Sequence, residues 1–181
     1  MKLIFDFDGV LFFNQEWRKG YLFPLLERRG ITKDELDEYY KNVREVGFSI
    51  QKLLSHFSIE IKEEEIFKNI TDFVNISLID LIKILDKENC FIVTFGDEEF
   101  QIKKIERTNL EPFFGKIFAT SGRKNTFIEN ICQQFPDEKV VFVDDMPQHF
   151  EDIELGKCKN LKTILYDENG LQKLLAEIEI T

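Results

Sequence analysis

Four short stretches carry residue types able to do chemistry: Asp6-Phe7-Asp8-Gly9-Val10-Leu11, Thr94-Phe95-Gly96, Arg123-Lys124 and Asp144-Asp145. Asp6 and Asp8 lie two apart, which turns both carboxylates to one side of an extended chain, and Gly9 lets the backbone bend sharply over them. If Asp144 joins them, each pair of unscreened charges about 4 Å apart costs on the order of 4 kcal/mol at an effective dielectric of about 20. A cation is needed to balance them. An all-oxygen ligand set, with no His or Cys at ligand spacing, favours Mg²⁺ that keeps several of its waters. Ahead of the acidic helix start Asp97-Glu98-Glu99, the Thr94 hydroxyl and the N–H groups of Phe95 and Gly96 can hold phosphate oxygens. Lys124 can bring a mobile ammonium to the same place. A carboxylate attacking a phosphate dianion meets like-charge repulsion, and the metal and Lys124 would offset it.

These groups need a scaffold that gathers them. Apolar runs recur at Lys2 to Phe5, Cys90 to Phe95, Lys116 to Thr120, Lys139 to Val143 and Leu161 to Tyr166, and they read as buried parallel strands. Helical patterns lie between the later ones: Phe127, Ile128, Ile131 and Phe135 share a face, and a short segment opens at Pro147 and closes at Gly156. Strands alternating with helices predict an α/β sheet, and in such a sheet the reactive ground lies beyond the carboxyl ends of the strands. The four stretches fall there. Tyr166-Asp167 ends the fifth run and is assigned no role.

The interval between the first two strands is too long for a simple crossover, so it is expected to hold an inserted helical cap. The expected division is a core of residues 1–13 and 76–181 and a cap of residues 14–75, joined by short hinges near Phe13 and Asn75. In the cap, a helix containing Trp17, Tyr21 and Leu25 is expected to stop at Gly30, and a capping box of Thr32 and Glu35 to open one through about Val46. Further helices are expected over 49–57 and 62–74. Ser77, with Asp80 three residues on, is expected to open the last helix before the second strand.

Asp-x-Asp-Gly-Val-Leu at the first strand, Thr at the end of the second, Lys before the fourth, and an apolar run ending Asp-Asp resemble the haloacid dehalogenase superfamily. The resemblance runs from Asp6 to Asp145 and includes a helical insertion after the first element. It implies a Rossmann-like, doubly wound parallel sheet of strand order 5-4-1-2-3 with a small C1-type helical cap. It implies that Asp6 is the nucleophile that forms an aspartyl-phosphate, and also a Mg²⁺ ligand. Asp8 would be the general acid and base and would offer its backbone carbonyl to the metal. Thr94, with Phe95 and Gly96, would bind phosphate; Lys124 would pair with phosphate and Asp6; Asp144 would coordinate Mg²⁺, with Asp145 in support. Two positions depart from the pattern: Val10 stands where many relatives have Thr, and Gln148 where some have a second acid. The division of labour between Asp144 and Asp145, and between Arg123 and Lys124, stays open, since Asp145 can equally cap a helix ahead of Pro147.

Other residues read as structural. His56 and His149 lack companions for a ligand cluster and read as surface or packing residues. Phe12, Phe13 and Trp17 at helical spacing read as core. Arg18, Lys19, Arg28, Arg29 and Arg44 stand among acidic neighbours and read as a solvated face. Cys90, Cys132 and Cys158 read as buried small hydrophobes.

At 181 residues and 43% apolar content the chain suits one core domain with an appendage and needs no disulfides. Three scattered cysteines make no zinc pattern and suit a reducing cytoplasm. Asp6 and Asp8 interrupt the first apolar run too early for a signal peptide or membrane span. A net charge of −10 with no basic run argues against a nucleic-acid polymer as partner. The expected activity is Mg²⁺-dependent hydrolysis of a small phosphorylated metabolite. A phosphomutase would use the same residues. A dehalogenase would need neither Mg²⁺ nor an acid at Asp8. A non-catalytic phospho-switch is the rival from another class, but receiver domains place their acidic pair early and lack a long insertion.

Overall fold

A computed structural model of the chain describes residues 1–43, 48–151, 153, 154 and 156–178. Five parallel strands, β1 (Lys2–Phe5), β2 (Cys90–Phe95), β3 (Lys116–Thr120), β4 (Val140–Asp144) and β5 (Leu161–Leu165), form one sheet in the order β3-β2-β1-β4-β5. This is the expected 5-4-1-2-3 order read from its other edge. Alternation along the strands divides the core into two layers. Leu3, Phe5, Ile92, Val141 and Val143 join one apolar cluster, while Ile4, Phe91, Val93, Val140 and Phe142 join the other. Both faces are covered, which is why the strands read as continuous apolar runs rather than alternating ones. The first cluster receives helices α6 (Ile76–Lys83), α7 (Glu98–Arg107) and α10 (Gly170–Ile178); the second receives α8 (Asn125–Gln134) and α9 (Gln148–Glu151).

Between β1 and α6 the chain is helical from residue 14 to 27 as α1 (Asn14–Trp17), a π-helical segment Arg18–Leu22 and α2 (Phe23–Glu27). α3 (Lys33–Val43), α4 (Ile50–His56) and α5 (Glu63–Ile66) follow. The capping box is present: Thr32 N and Oγ1 each donate to Glu35 Oε2 at 2.7 Å, and Glu35 N returns a bond to Thr32 Oγ1 at 3.3 Å. Val46 lies outside the described residues. Two helix expectations need correction. Residues 62–74 do not form one helix, because Asn69 takes a left-handed conformation (φ 59°) that separates α5 from a 3-10 turn at Ile70–Phe73. α6 is opened by Asn75 rather than Ser77: the Asn75 side chain accepts from Leu78 N at 3.3 Å.

The two passages between sheet and insert run side by side. Phe12 and Val74 form an antiparallel bridge, Phe13 N donates to Phe73 O at 2.8 Å, and Asn75 N donates to Leu11 O at 2.9 Å. The Asn75 amide also donates to Val10 O (2.9 Å) and to the Tyr166 hydroxyl (2.7 Å). Trp17, Phe12 and Phe67 are buried where the insert meets the sheet. Among the described residues no helix is long and apolar enough to cross a membrane.

Candidate active site

Strand order alone brings the first two carboxylates together. β1 and β4 are neighbours with Phe5 opposite Val143, so the next residues, Asp6 and Asp144, stand side by side at the carboxyl end of the sheet. Asp6 N completes the ladder by donating to Val143 O at 2.9 Å. This is the point where the chain switches from building one half of the sheet to the other, the usual crevice of an open α/β fold. Lys124, at the start of α8, reaches both carboxylates: its Nζ is 2.8 Å from Asp6 Oδ1 and 2.8 Å from Asp144 Oδ2. All three side chains are buried. Arg123 beside it is exposed.

Asp8 is held separately. Lys104 Nζ lies 2.6 and 2.7 Å from its two oxygens, and Gln101 Nε2 donates to Asp8 Oδ2 at 2.9 Å and to Phe95 O at 2.8 Å. Gln101 and Lys104 are one turn apart on α7, and Lys104 is nearly fully buried, its ammonium 5.2 to 5.6 Å from the ring centres of Phe7, Phe12 and Phe100. Gly96 makes room for this arrangement: it has φ 146°, and a Cβ there would fall 2.7 Å from Gln101 Nε2. Gly9 is needed for a like reason, since with φ 83° its Cβ would lie 2.2 Å from Asp145 Oδ2. The Asp145 carboxylate thus lies against the turn that follows Asp8.

The electrostatics follow from burial and neighbours. Desolvation pushes Asp6 up to about 7; Lys124 opposes the rise, and Asp144 and Asp8 add to it. Burial also works against the charged form of Asp8, but Lys104, Arg18 and the Gln101 bond together hold it below the usual carboxylate value. For Asp144, burial is likewise outweighed, by bonds from His149 and Lys124. Asp145 is raised by burial and by Asp144. The Asp8–Lys104 pair is neutral within itself. With all three ionised, Asp6, Asp144 and Asp145 would set three negative charges around the ammonium of Lys124 and leave two uncompensated, which is why Asp6 and Asp145 are raised toward their protonated forms. That excess suits a divalent cation, and oxygens of Asp6 and Asp144 with a ring nitrogen of His149 lie within 4.8 Å of one another. The residues present therefore fit a metal. Mg²⁺ would take the carboxylate oxygens, with the imidazole as their outer partner.

Several expectations change here. His149 is not a surface or packing residue: its Nδ1 is 2.9 and 3.0 Å from the Asp144 oxygens, carried there by the first turn of α9. Asp144, not Asp145, accepts the Met146 N–H (2.8 Å). The Gly96 N–H, expected to hold a phosphate oxygen, donates to Thr120 O at 2.9 Å, because pairing with β3 continues one residue past β2. Thr94 ends up fully buried with no partner for its hydroxyl among the described residues, while Phe95 and Gly96 line the cleft. Arg18 leaves the solvated face assigned to it and enters the cleft; Arg44 lies outside the described residues. Sequence reasoning missed Gln101, Lys104 and His149. The signal for Lys104 was its place four residues after Phe100, on the buried face of α7.

The cleft that contains these groups has a volume of about 690 Å³. Its floor is Asp6, Asp8, Lys124 and Asp145 from the sheet, and its opposite wall includes Arg18, Tyr40 and Phe48 from the insert. It is large enough for a small metabolite.

No protein-family model and no curated protein matches the chain by sequence. Solved structures are similar to it throughout. The HAD-hydrolase YfnB from Bacillus subtilis, bound to magnesium, is 19% identical and covers 99% of this chain and 98% of its own, with a TM-score of 0.61. A structure from Burkholderia xenovorans LB400, described as a haloacid dehalogenase-like hydrolase, is 16% identical over 94% of this chain and 89% of its own, with a TM-score of 0.69. One from Thermotoga maritima, described as a beta-phosphoglucomutase, is 16% identical over 96% and 91%, with a TM-score of 0.53. At these identities the likeness is one of fold.

Proposed function

We propose that this chain, with the fold of haloacid dehalogenase-like hydrolases, hydrolyses a small phosphomonoester through covalent attack by Asp6. The observation that carries the reading is the buried Asp6 carboxylate at 2.8 Å from Lys124, beside Asp144 at the switch point of the sheet. A structural aspartate would not be left buried beside a second carboxylate with one lysine between them.

In this reading an Asp6 oxygen forms a bond to phosphorus as the ester P–O bond breaks, and Asp8 gives its proton to the departing oxygen. Asp8 then takes a proton from a water that attacks the same phosphorus, freeing inorganic phosphate and restoring Asp6. Lys104 and Gln101 fix the orientation of the Asp8 carboxyl, so that its proton lies on the leaving-group side. Without substrate Lys104 keeps Asp8 ionised, the form the second step needs; an arriving phosphate dianion raises its proton affinity for the first. Lys124 offsets the repulsion between Asp6 and that dianion. The buried Thr94 hydroxyl has no partner among the described residues and would gain one in a phosphate oxygen. Mg²⁺, held by Asp6 and Asp144, would supply further charge neutralisation on phosphate oxygens. The substrate would be a phosphorylated metabolite that fits the cleft.

Release of inorganic phosphate from p-nitrophenyl phosphate with Mg²⁺ tests this directly, with Asp6→Asn as the inactive control. Undiminished release by Asp6→Asn would overturn the reading. The likeness to the structure described as a phosphomutase supports a second reading, transfer of the phosphoryl group to another hydroxyl. Isomerised product without free phosphate would favour it.

A further inference from the structure

The insert contributes two polar groups to the cleft, the Arg18 guanidinium and the Tyr40 phenol. Arg18, at the start of the π-helical segment, places its guanidinium 5.1 and 5.2 Å from the ring centres of Tyr40 and Phe48. Those rings are stacked on each other, with centres 4.8 Å apart. A guanidinium held beside aromatic rings keeps its N–H groups for use. Among the described residues no carboxylate forms an ion pair with it, although Asp37 lines the same cleft. The hydroxyl of Tyr40 is buried and has no hydrogen-bond partner among the described residues. A buried hydroxyl without a partner costs about 1–3 kcal/mol, which a ligand oxygen would recover.

Position supplies the rest. Lys124 holds Asp6, where phosphorus would bind, at the end of the sheet, whereas Arg18 and Tyr40 line the same cleft from the insert. With the phosphoryl end seated on the sheet, the groups on the insert meet the portion of the substrate that leaves. We propose that Arg18 and the Tyr40 hydroxyl form a second anion subsite in the cleft, which takes a carboxylate or second phosphate carried by the leaving alcohol. The guanidinium would grip two oxygens of that group and the phenol would donate to one of them. The subsite rests on the hydrolase reading for which end of the cleft holds phosphorus. It narrows the substrate from any small phosphomonoester to one that is anionic at both ends.

Unreactive phosphonates test it without turnover. Calorimetry would compare 3-phosphonopropionate and propane-1,3-bisphosphonate with 3-phosphonopropionamide, whose far end is uncharged, in Mg²⁺, on the whole chain. At least one of the two anionic ligands should bind about tenfold more tightly than the amide. Which of them does so tells carboxylate from phosphate. Arg18→Gln should bring the ratio close to one, and Tyr40→Phe should lower it by about threefold. Arg29→Gln, which removes an insert arginine already paired with Glu65 at 2.8 Å, should leave it unchanged. Tyr40→Phe keeps the test decisive should Arg18→Gln fail to fold. A ratio near one in the unaltered protein, or a ratio that survives both cleft substitutions, would remove the subsite. Release of phosphate from p-nitrophenyl phosphate by the same preparation judges the hydrolase separately: no release with the ratio intact removes the hydrolase and keeps the subsite, and the converse removes the subsite alone.

Discussion

Lys104 approaches both oxygens of Asp8, at 2.6 and 2.7 Å, from the buried face of α7, so Asp8 has a lysine of its own just as Asp6 has Lys124. The two pairs differ in setting. Lys124 is shared between carboxylates, whereas Lys104 is committed to one and packed among three phenylalanine rings.

Lys104→Met should therefore cost about 3 kcal/mol of stability, because it strands a partly buried carboxylate, and denaturant unfolding would measure it. The same change should slow turnover of ethyl phosphate at least tenfold more than that of p-nitrophenyl phosphate, since only the poorer leaving group relies on a well-aimed acid. An equal loss on both esters would reduce Lys104 to a structural role.

Lys124→Ala should lower kcat by about a hundredfold or more, while Arg123→Ala changes it little, because Lys124 bridges the Asp6 and Asp144 oxygens and Arg123 is exposed beside it. Steady-state rates of the two variants decide the matter, and the reverse ranking would transfer the role to Arg123.

Asp6 gives a pH dependence of known sign. Its carboxyl is raised from 3.8 to about 7 in the folded chain, so between those values the folded protein holds a proton that the unfolded chain has released. Stability then falls as pH rises through that window. Asp6→Asn lacks this group. In metal-free buffer, the stability of Asp6→Asn relative to the unaltered protein should grow from pH 5 to pH 8, followed by thermal unfolding. A difference that stays flat would show that Asp6 is not raised.

His149→Ala removes a partner of Asp144 at 2.9 Å without touching Asp6. Mg²⁺ affinity, read from the metal dependence of turnover, should weaken about tenfold, as expected for a group that orients a ligand from outside. Unchanged Mg²⁺ dependence would leave His149 with no part in the site.

The strands were legible because burial on both faces leaves an apolar run that polar residues end abruptly, and β1 and β2 span the expected residues. β4 is shifted one residue along the chain at both ends, and β5 stops one residue early. Asp6, Lys124 and Asp144 could be placed together because strand ends in a parallel sheet converge on one edge. Lys104 and Gln101 escaped notice because a polar residue inside a helical stripe looks like a solvated position unless its partner is known. His149 was hidden for a similar reason: its ligand-like company comes from Asp144, five residues away across a turn, not from a second histidine. The break at Asn69 rests on one residue's left-handed backbone, which a helical pattern does not announce.

The paired bridge joining Phe12 to Val74, tied by Asn75 to Leu11 and Val10, has a mechanical consequence. A helical lobe attached through two bonded straps can rock only by bending both at once. The loop behind Asp8 is fastened to the same straps through the Gly9–Phe12 bond, so tilting the lobe would tug the acid as well as widen the entrance.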